Sequence, residues 1–298
     1  MRKSMTDSFH ISIILPSYNY AHYLHEAVES ILAQTHEQWE LLIIDDGSQD
    51  DSVSIAHEYA ARDNRIRILQ HPDGGNHGLA ATLLLGIRQS KYDTVAFLEA
   101  DDVWASESLS VRLKAMQQPN TALVFNAAWL MVESERDIDY YQGILAVQSQ
   151  IIAKRRPPQV AAHELMATNL ITGFSCVMTP RDLLLNCDFN SPSAPHLDKW
   201  LWQQLSLWGV CRFVPQALTG WRLHGRSYIS TYKGNAAAED RLWRQKTHML
   251  LADQSYQGAG LWLARHTPRA HSAAVRTWFK LRTQGLVGVL CAIMKRLA

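Results

Sequence analysis

Ile11-Ser12-Ile13-Ile14-Leu15 is a compact, β-branched run closed by Pro16, the pattern of a strand buried on both faces. Leu24, Ala27, Val28, Ile31 and Leu32 then recur at helical spacing, which predicts an amphipathic helix ending before Trp39. Glu40 to Ile44 predicts a second strand, closed by Asp45-Asp46-Gly47-Ser48. Residues 51–62 read as a helix and Arg65 to Leu69 as a third strand. Gly74-Gly75-Asn76 marks a loop, Leu79 to Gln89 a helix, and Thr94 to Leu98 a fourth strand. Strands alternating with helices imply right-handed crossovers and an open, mostly parallel sheet. In such sheets ligands bind at the carboxyl ends of the strands.

Beyond about residue 105 the pattern loosens. Ser106 to Met116 predicts a helix with Ser106 at its N-cap, and Thr121 to Phe125 a strand. Residues 133–158 are polar, end in Lys154-Arg155-Arg156-Pro157-Pro158, and read as an exposed loop or lid. Trp200 to Leu207 predicts a helix opened by Asp198. After about residue 232 the chain reads as helical to its end, and no internal repeat is visible.

Composition narrows the class of protein. The 298 residues are 47% hydrophobic, enough to bury a large core without disulfides or a structural metal. With 29 basic against 28 acidic residues, bulk electrostatic capture of nucleic acid is not expected, and no nucleic-acid motif is present. Cys176, Cys187, Cys211 and Cys291 show no metal-ligand spacing, so reduced thiols in the cytoplasm are expected. The basic Met1-Arg2-Lys3 is followed too late, by too short an apolar run, for a signal peptide. The longest apolar run, Leu286 to Met294, is well short of the ~20 residues of a spanning helix. A soluble or membrane-surface protein is the expectation.

The strand ends carry the candidate chemistry. Asp45-Asp46 closes the second predicted strand, and Glu99-Ala100-Asp101-Asp102 the fourth. Hard divalent cations such as Mn²⁺ or Mg²⁺ take one or two carboxylates plus substrate phosphates, which suits the second pair. Helix capping and tight turns are the competing explanations for such pairs. Two pairs on one rim favour a ligand, because clustered like charges cost stability unless something neutralises them. Asp198 stands before an aromatic-rich helix, as an N-cap or as a base facing a hydroxyl. In Trp221-Arg222-Leu223-His224-Gly225, Arg222 is suited to a diphosphate, and His224 to a phosphate, a metal or a structural role. Neither a GxGxxG nor a GxxxxGK[ST] loop occurs.

Taken together, these segments resemble glycosyltransferase family 2. The resemblance rests on Ile13-Ile14-Leu15-Pro16-Ser17-Tyr18-Asn19, Asp45-Asp46-Gly47-Ser48, and Phe97-Leu98-Glu99-Ala100-Asp101-Asp102-Val103-Trp104, in that order and spacing. Leu197-Asp198-Lys199-Trp200 and Trp221-Arg222-Leu223-His224 extend the likeness, which covers residues 10–230. It implies an α/β GT-A fold, Rossmann-like, with a helical C-terminal extension. The catalytic domain would be residues 1–231, with a nucleotide-sugar half at 10–104 and an acceptor half at 105–231, and the extension 232–298. It also implies inversion at the anomeric carbon, a divalent cation (Mn²⁺ or Mg²⁺), a nucleotide-diphosphate sugar, foremost a UDP-sugar, and a glycan or lipid-linked acceptor. By position, Pro16, Tyr18, Asn19, Asp45 and Asp46 would line the nucleotide pocket. Asp101 and Asp102 would form the metal motif, with Asp102 the direct ligand and His224 nearby. Arg222 would face the diphosphate, and Asp198 would be the general base.

Glu99 stands where the family often has Asp, so that carboxylate reaches one methylene further. The Gln-x-x-Arg-Trp segment of the processive synthases is absent, which favours transfer of a single sugar. The rival readings are a nucleotidyltransferase of similar fold and a catalytically silent nucleotide-sugar-binding subunit. Leu286, Val287, Val289, Leu290, Ile293 and Met294, followed by Lys295-Arg296, allow an interfacial helix at the inner face of the membrane. A helix packed on the catalytic domain, or on a second copy of the chain, competes with that reading.

Overall fold

The computed structural model describes residues 9–133, 138–167, 169–225 and 235–253. Its first half is β1 (Ile11–Ser17), α1 (Ala21–Leu32), β2 (Trp39–Asp45), α2 (Ser52–Arg62), β3 (Ile66–Gln70), α3 (Leu79–Gln89) and β4 (Thr94–Phe97). Next come β5 (Val103–Trp104), α4 (Ser108–Met116), β6 (Thr121–Val132), α5 (Ile138–Val147), β7 (Gln159–Val160) and α6 (Ala162–Ala167). A 3₁₀ turn at Phe174–Cys176 leads into β8 (Val177–Pro180), α7 (Arg181–Leu185), α8 (Leu197–Trp208), β9 (Val210–Leu223) and α9 (Ala236–Ala252).

The strands form one sheet in the order β3-β2-β1-β4-β8-β6-β9-β5, with β7 on β9. The first four pair in parallel, so their carboxyl ends share one edge. The mostly parallel expectation holds only for that half. β8 runs antiparallel to both β4 and β6, β9 is parallel to β6, and β5 and β7 are antiparallel to β9. β1 continues to Ser17, through the Pro16 at which the sequence pattern predicts its stop. The proline is tolerated because β4 pairs with β1 only as far as Ile14.

Residues alternate between two cores along each strand. Ile14, Leu42, Ile44 and Phe97 face α3 and α8, while Ile13, Leu15, Leu41 and Ile43 face α1, α2 and α4. Gly86 lets α3 lie close on the sheet, since a Cβ there would fall 2.8 Å from Ile44 Cδ1.

Four further expectations are corrected. α4 begins at Ser108 with Glu107 as N-cap, not with Ser106. β6 runs on to Val132, where its long parallel pairing with β9 carries it past Phe125. The stretch read as a polar loop contains α5 and a π turn at Gln148–Ile152, because Ile144, Val147 and Ile152 form a buried helical stripe. α8 starts at Leu197, so Asp198 lies in its first turn and His196 is the N-cap. In the C-terminal region, α9 packs on α8 through Trp243 and Trp200, 6.1 Å between ring centroids. The apolar stretch at 286–294 lies outside the described residues, as does Cys291. Among the described residues no helix is long and apolar enough to cross a membrane.

Candidate active site

The parallel register sets Ser17 beside Asp45 at the carboxyl edge, and Leu98 N–H donates to Ile14 O (3.0 Å) just before Glu99. Two loops are stitched together at this edge. Asn19, at φ 57°, accepts from Gln49 N–H (2.7 Å), and its own N–H donates to Ser48 Oγ (2.9 Å). Pro16 is partly buried beneath them, and Tyr18 stands exposed at the mouth.

Asp45 Oδ2 accepts from the N–H groups of Gly47 and Ser48, both at 3.2 Å, and from Gln70 Nε2 at 3.3 Å. Its Oδ1 is buried without a partner. Asp46 accepts from His77 N–H (2.8 Å) and Gly78 N–H (2.9 Å), with His71 Nε2 at 3.3 Å. Asp46 therefore first of all shapes the loop leading to α3, a role the sequence did not disclose. A carboxylate has about four lone-pair sites, so these contacts do not exhaust it.

The second pair lies in a different environment. Asp102 is 2% exposed and its Oδ1 accepts from Arg222 N–H (2.9 Å), while the nearby Ser175 Oγ accepts from Glu99 N–H (2.9 Å). Burial, then the neighbouring Asp101 charge, holds the Asp102 carboxyl well above the ordinary range. Glu99 is raised in the same way, by desolvation and then by Asp102, Asp101 and Asp198. Asp198 is thus within electrostatic reach of the acidic turn although nearly a hundred residues separate them in sequence. Burial raises its carboxyl too, against Asn169 Nδ2, which donates to Oδ2 at 2.9 Å.

Arg222 and His224 are placed in this cluster, but already engaged. Arg222 Nε donates to Asp101 O (2.8 Å), Nη1 to Glu133 (2.7 Å) and Nη2 to Glu26, and the guanidinium lies 4.8 Å from the Tyr23 ring centroid. Its charge is shared between two carboxylates rather than open to a diphosphate. His224 Nε2 sits 2.9 Å from Asp101 Oδ2, and Nδ1 is buried without a partner. In this arrangement the Nε2 of His224 orients Asp101. Among the described residues no three His, Cys, Asp or Glu side chains converge as a metal cage. Asp101 and Asp102 nevertheless fit a hard cation that draws its remaining ligands from substrate phosphates, and their mutual repulsion favours one.

Sequence reasoning missed Tyr20, Tyr23, Glu26, Glu133, Asn169 and Ser175. The Tyr20 ring meets the His224 ring edge-on at 6.1 Å, and Tyr23 Oη donates to Glu133 Oε2 at 2.7 Å. The available signal was the spacing of Tyr20 and Tyr23 directly after the Ser17-Tyr18-Asn19 turn, which puts both rings on the start of α1.

A parallel-stranded half with acidic residues along its carboxyl edge, joined to a mixed half that brings in the partly buried Asp198, is an α/β arrangement of the GT-A type. Residues 12–176 match the family described as Glycosyl transferase family 2, and the chain belongs to it. It is 33% identical over 131 residues to TuaG of Bacillus subtilis, named for teichuronic acid biosynthesis, covering 44% of this chain and 51% of that protein. It is 27% identical over 196 residues to WfgD of Escherichia coli, covering 66% of this chain and 69% of that one. WfgD is named a UDP-Glc:α-D-GlcNAc-diphosphoundecaprenol β-1,3-glucosyltransferase. The chain thus spans about half the length of TuaG, and the match to a Rickettsia felis glycosyltransferase spans only 19% of that protein. Among solved structures, TarS residues 1–349 of S. aureus with UDP-GlcNAc superposes at a TM-score of 0.66 and 17% identity, covering 93% of this chain and 73% of that one. The mannosyltransferase PcManGT of Pyrobaculum calidifontis, with GDP-Man and Mn²⁺, gives 0.56 and 17%, covering 97% and 87%. At these identities the structural likeness speaks for the fold.

Proposed function

We propose that this chain is an inverting, non-processive glycosyltransferase that moves a sugar from a UDP-sugar to a hydroxyl of a lipid-linked or surface glycan. The observation that carries the reading is that Asp198 lies close enough to Glu99 for its charge to be felt there, beside the Asp101-Asp102 turn at the carboxyl edge of the sheet. The names of WfgD and TuaG, and the UDP-GlcNAc held by TarS, support this donor and acceptor class.

In this reading residues 10–104 hold the nucleotide, with Pro16, Tyr18, Asn19, Asp45 and Asp46 lining its pocket. Residues 105–231 receive the acceptor, and 232–298 form an extension. Asp101 and Asp102 would hold a divalent cation, Mn²⁺ or Mg²⁺, which when bound stabilises charge on the departing diphosphate. Asp198 takes the proton of the attacking hydroxyl. A hydroxyl is a poor nucleophile at neutral pH, and a positioned base contributes roughly 10²–10⁴-fold. Burial raises the Asp198 carboxyl above the ordinary carboxylate range, which makes its ionised form a stronger base. Asn169 Nδ2 holds Oδ2 of Asp198 in place. Arg222 stiffens the acidic turn from behind, through Asp101 O and Asp102. The enzyme would work in the cytoplasm, with peripheral contact at the inner face of the membrane where lipid-linked acceptors lie.

A thermal-shift and hydrolysis screen of nucleotide sugars with Mn²⁺ or Mg²⁺ tests this. Stabilisation and slow hydrolysis of a UDP-sugar are expected. Indifference to every nucleoside diphosphate with metal would overturn the reading.

A further inference from the structure

A base must be placed as well as ionised, and a displacement of about 1 Å at a reacting group costs roughly 10²-fold in rate. Asp198 lies in the first turn of α8, and that turn is poorly secured from within. Its N-cap residue, His196, makes no side-chain cap bond. The chain enters α8 through Ser191-Pro192-Ser193-Ala194-Pro195, which pairs with no strand and forms only a short 3₁₀ turn at Ala194–His196. The fastenings come instead from α9. Lys246 Nζ donates to Asp188 Oδ2 (2.9 Å) and to Asn190 O, where this entry begins. Ser193 Oγ donates to Glu239 Oε2 (2.7 Å) and lies 3.1 Å from His196 Nδ1. The Glu239 carboxylate thus reaches the N-cap of α8 through one hydroxyl. On the other side of Asp198, Lys199 Nζ lies 4.4 Å from the Trp243 ring centroid, and the Trp200 ring meets the Trp243 ring edge-on at 6.1 Å. Trp200, Leu207 and Leu250 close an apolar cluster there, with Trp243 packed against it. α9 therefore grips the chain both before and after Asp198, and none of these contacts runs through the acidic turn.

We propose that α9 is the positioning element of the base, with Glu239, Trp243 and Lys246 seating the 188–200 segment so that Asp198 is held in its working place. The inference rests on the reading of Asp198 as base and deepens it, by giving the first helix of the extension a part in transfer. All three side chains act through the segment, so their loss is expected in kcat and not in donor binding.

The test uses the full chain and two readouts. The first is hydrolysis of UDP-glucose or UDP-GlcNAc with Mn²⁺, whichever the wild type turns over faster. Lys246→Ala and Trp243→Ala are each expected to lower kcat roughly 10–100-fold at an unchanged KM for the donor. Lys246→Arg and Trp243→Phe, which keep the cation and the ring, are expected to recover most of that loss. Arg244→Ala is the control: Arg244 pairs with Asp240 on the exposed side of α9, and no change is expected. The second readout is hydrogen exchange. Amides of residues 188–200 should exchange faster in Lys246→Ala and Trp243→Ala than in the wild type, while those of β1 and β2 keep their rates. Wild-type kcat in both alanine variants overturns the inference, and so does unchanged exchange across 188–200. A loss of kcat in Arg244→Ala equal to that of Lys246→Ala overturns it as well. Should Trp243→Ala fail to fold by circular dichroism, Lys246→Ala and Lys246→Arg decide by the same criteria. Asp198→Asn in the same assay separates the two levels. Wild-type hydrolysis there overturns the base reading itself. Hydrolysis lost there but kept in Lys246→Ala and Trp243→Ala overturns only the part given to α9.

Discussion

Two acidic pairs stand at the same edge of the same sheet, yet they are solvated in opposite ways. Asp46 is ringed by backbone N–H donors, and Asp45 gives one oxygen to three donors. Asp101 and Asp102 crowd one another and Glu99, with the partly buried Asp198 near Glu99, and their contacts are His224 Nε2 on Asp101 and the backbone N–H of Arg222 on Asp102. The first pair is bound up with the shape of the loops. In the second, burial first and like charge second raise the carboxyls of Glu99 and Asp102, and burial raises that of Asp198. Residue type and strand position are the same, so what separates structural from reactive carboxylates is which donors surround them.

The sharpest way to break this comparison is Asp198→Asn. Turnover with a UDP-sugar is expected to fall roughly 10²–10⁴-fold, with donor affinity and fold retained. Near-normal kcat would remove Asp198 as base. The wild-type pH–rate profile makes the same point with a smaller effect. A base acts only when deprotonated, so kcat should rise with pH through a value above the ordinary carboxylate range, because burial raises Asp198. Stability has the opposite sign. A carboxyl raised on folding contributes stability in full below its unfolded pKa, about 3.9, and loses it as pH rises through the folded one. Asp198→Asn should therefore hold or raise Tm at neutral pH, as differential scanning calorimetry would show. A clear fall in Tm would mean that the ionised carboxylate is part of the structure, as at Asp46.

The amount of this legible in the sequence follows from range. β1 and β2 could be read because strands buried on both faces are continuous apolar runs, and the acidic pairs because they end those runs. α5 was hidden because Ile144, Val147 and Ile152 are spaced within a stretch polar on average, so only the stripe and not the composition shows a buried helix. The fully buried Arg112, stacked 4.3 Å from the Trp104 ring centroid, could not be told from any surface arginine on a helix. Its desolvation, which pulls it down to about 9, arises only when β8 and β9 close over it. Tyr20 and Ser175 escaped notice for a related reason. Hydroxyl residues are common everywhere, and these two reach the acidic turn from distant points in the chain.

At the structural pair the expected losses are thermodynamic. Asp46→Ala leaves the N–H groups of His77 and Gly78 without their acceptor, at a cost of about 3 kcal/mol for the two. Urea unfolding should show it as a lower midpoint at unchanged slope, together with weaker donor binding. The kcat at saturating donor should fall far less than in Asp198→Asn. A change in kcat matching that of Asp198→Asn would erase the distinction between the pairs.

The smallest effect, and the finest test, is Gly47→Ala. Gly47 adopts φ +79°, where an alanine costs about 1–2 kcal/mol. A Cβ there would also stand 2.8 Å from Gly75 C and 2.9 Å from Asn76 N, so the loop after β2 would be pushed off the loop before α3. Asp45 Oδ2 accepts from Gly47 N–H itself, and Asp46 holds the far end of the second loop, so the disturbance enters the nucleotide side of the edge. Nothing connects it directly to Ser175, Asp102 or Asp198. The expected result is a raised KM for the donor and a Tm a few degrees lower, with kcat unchanged at saturation. A loss of kcat at unchanged KM would show that the two pairs work as one unit, and that their different surroundings do not divide the labour between them.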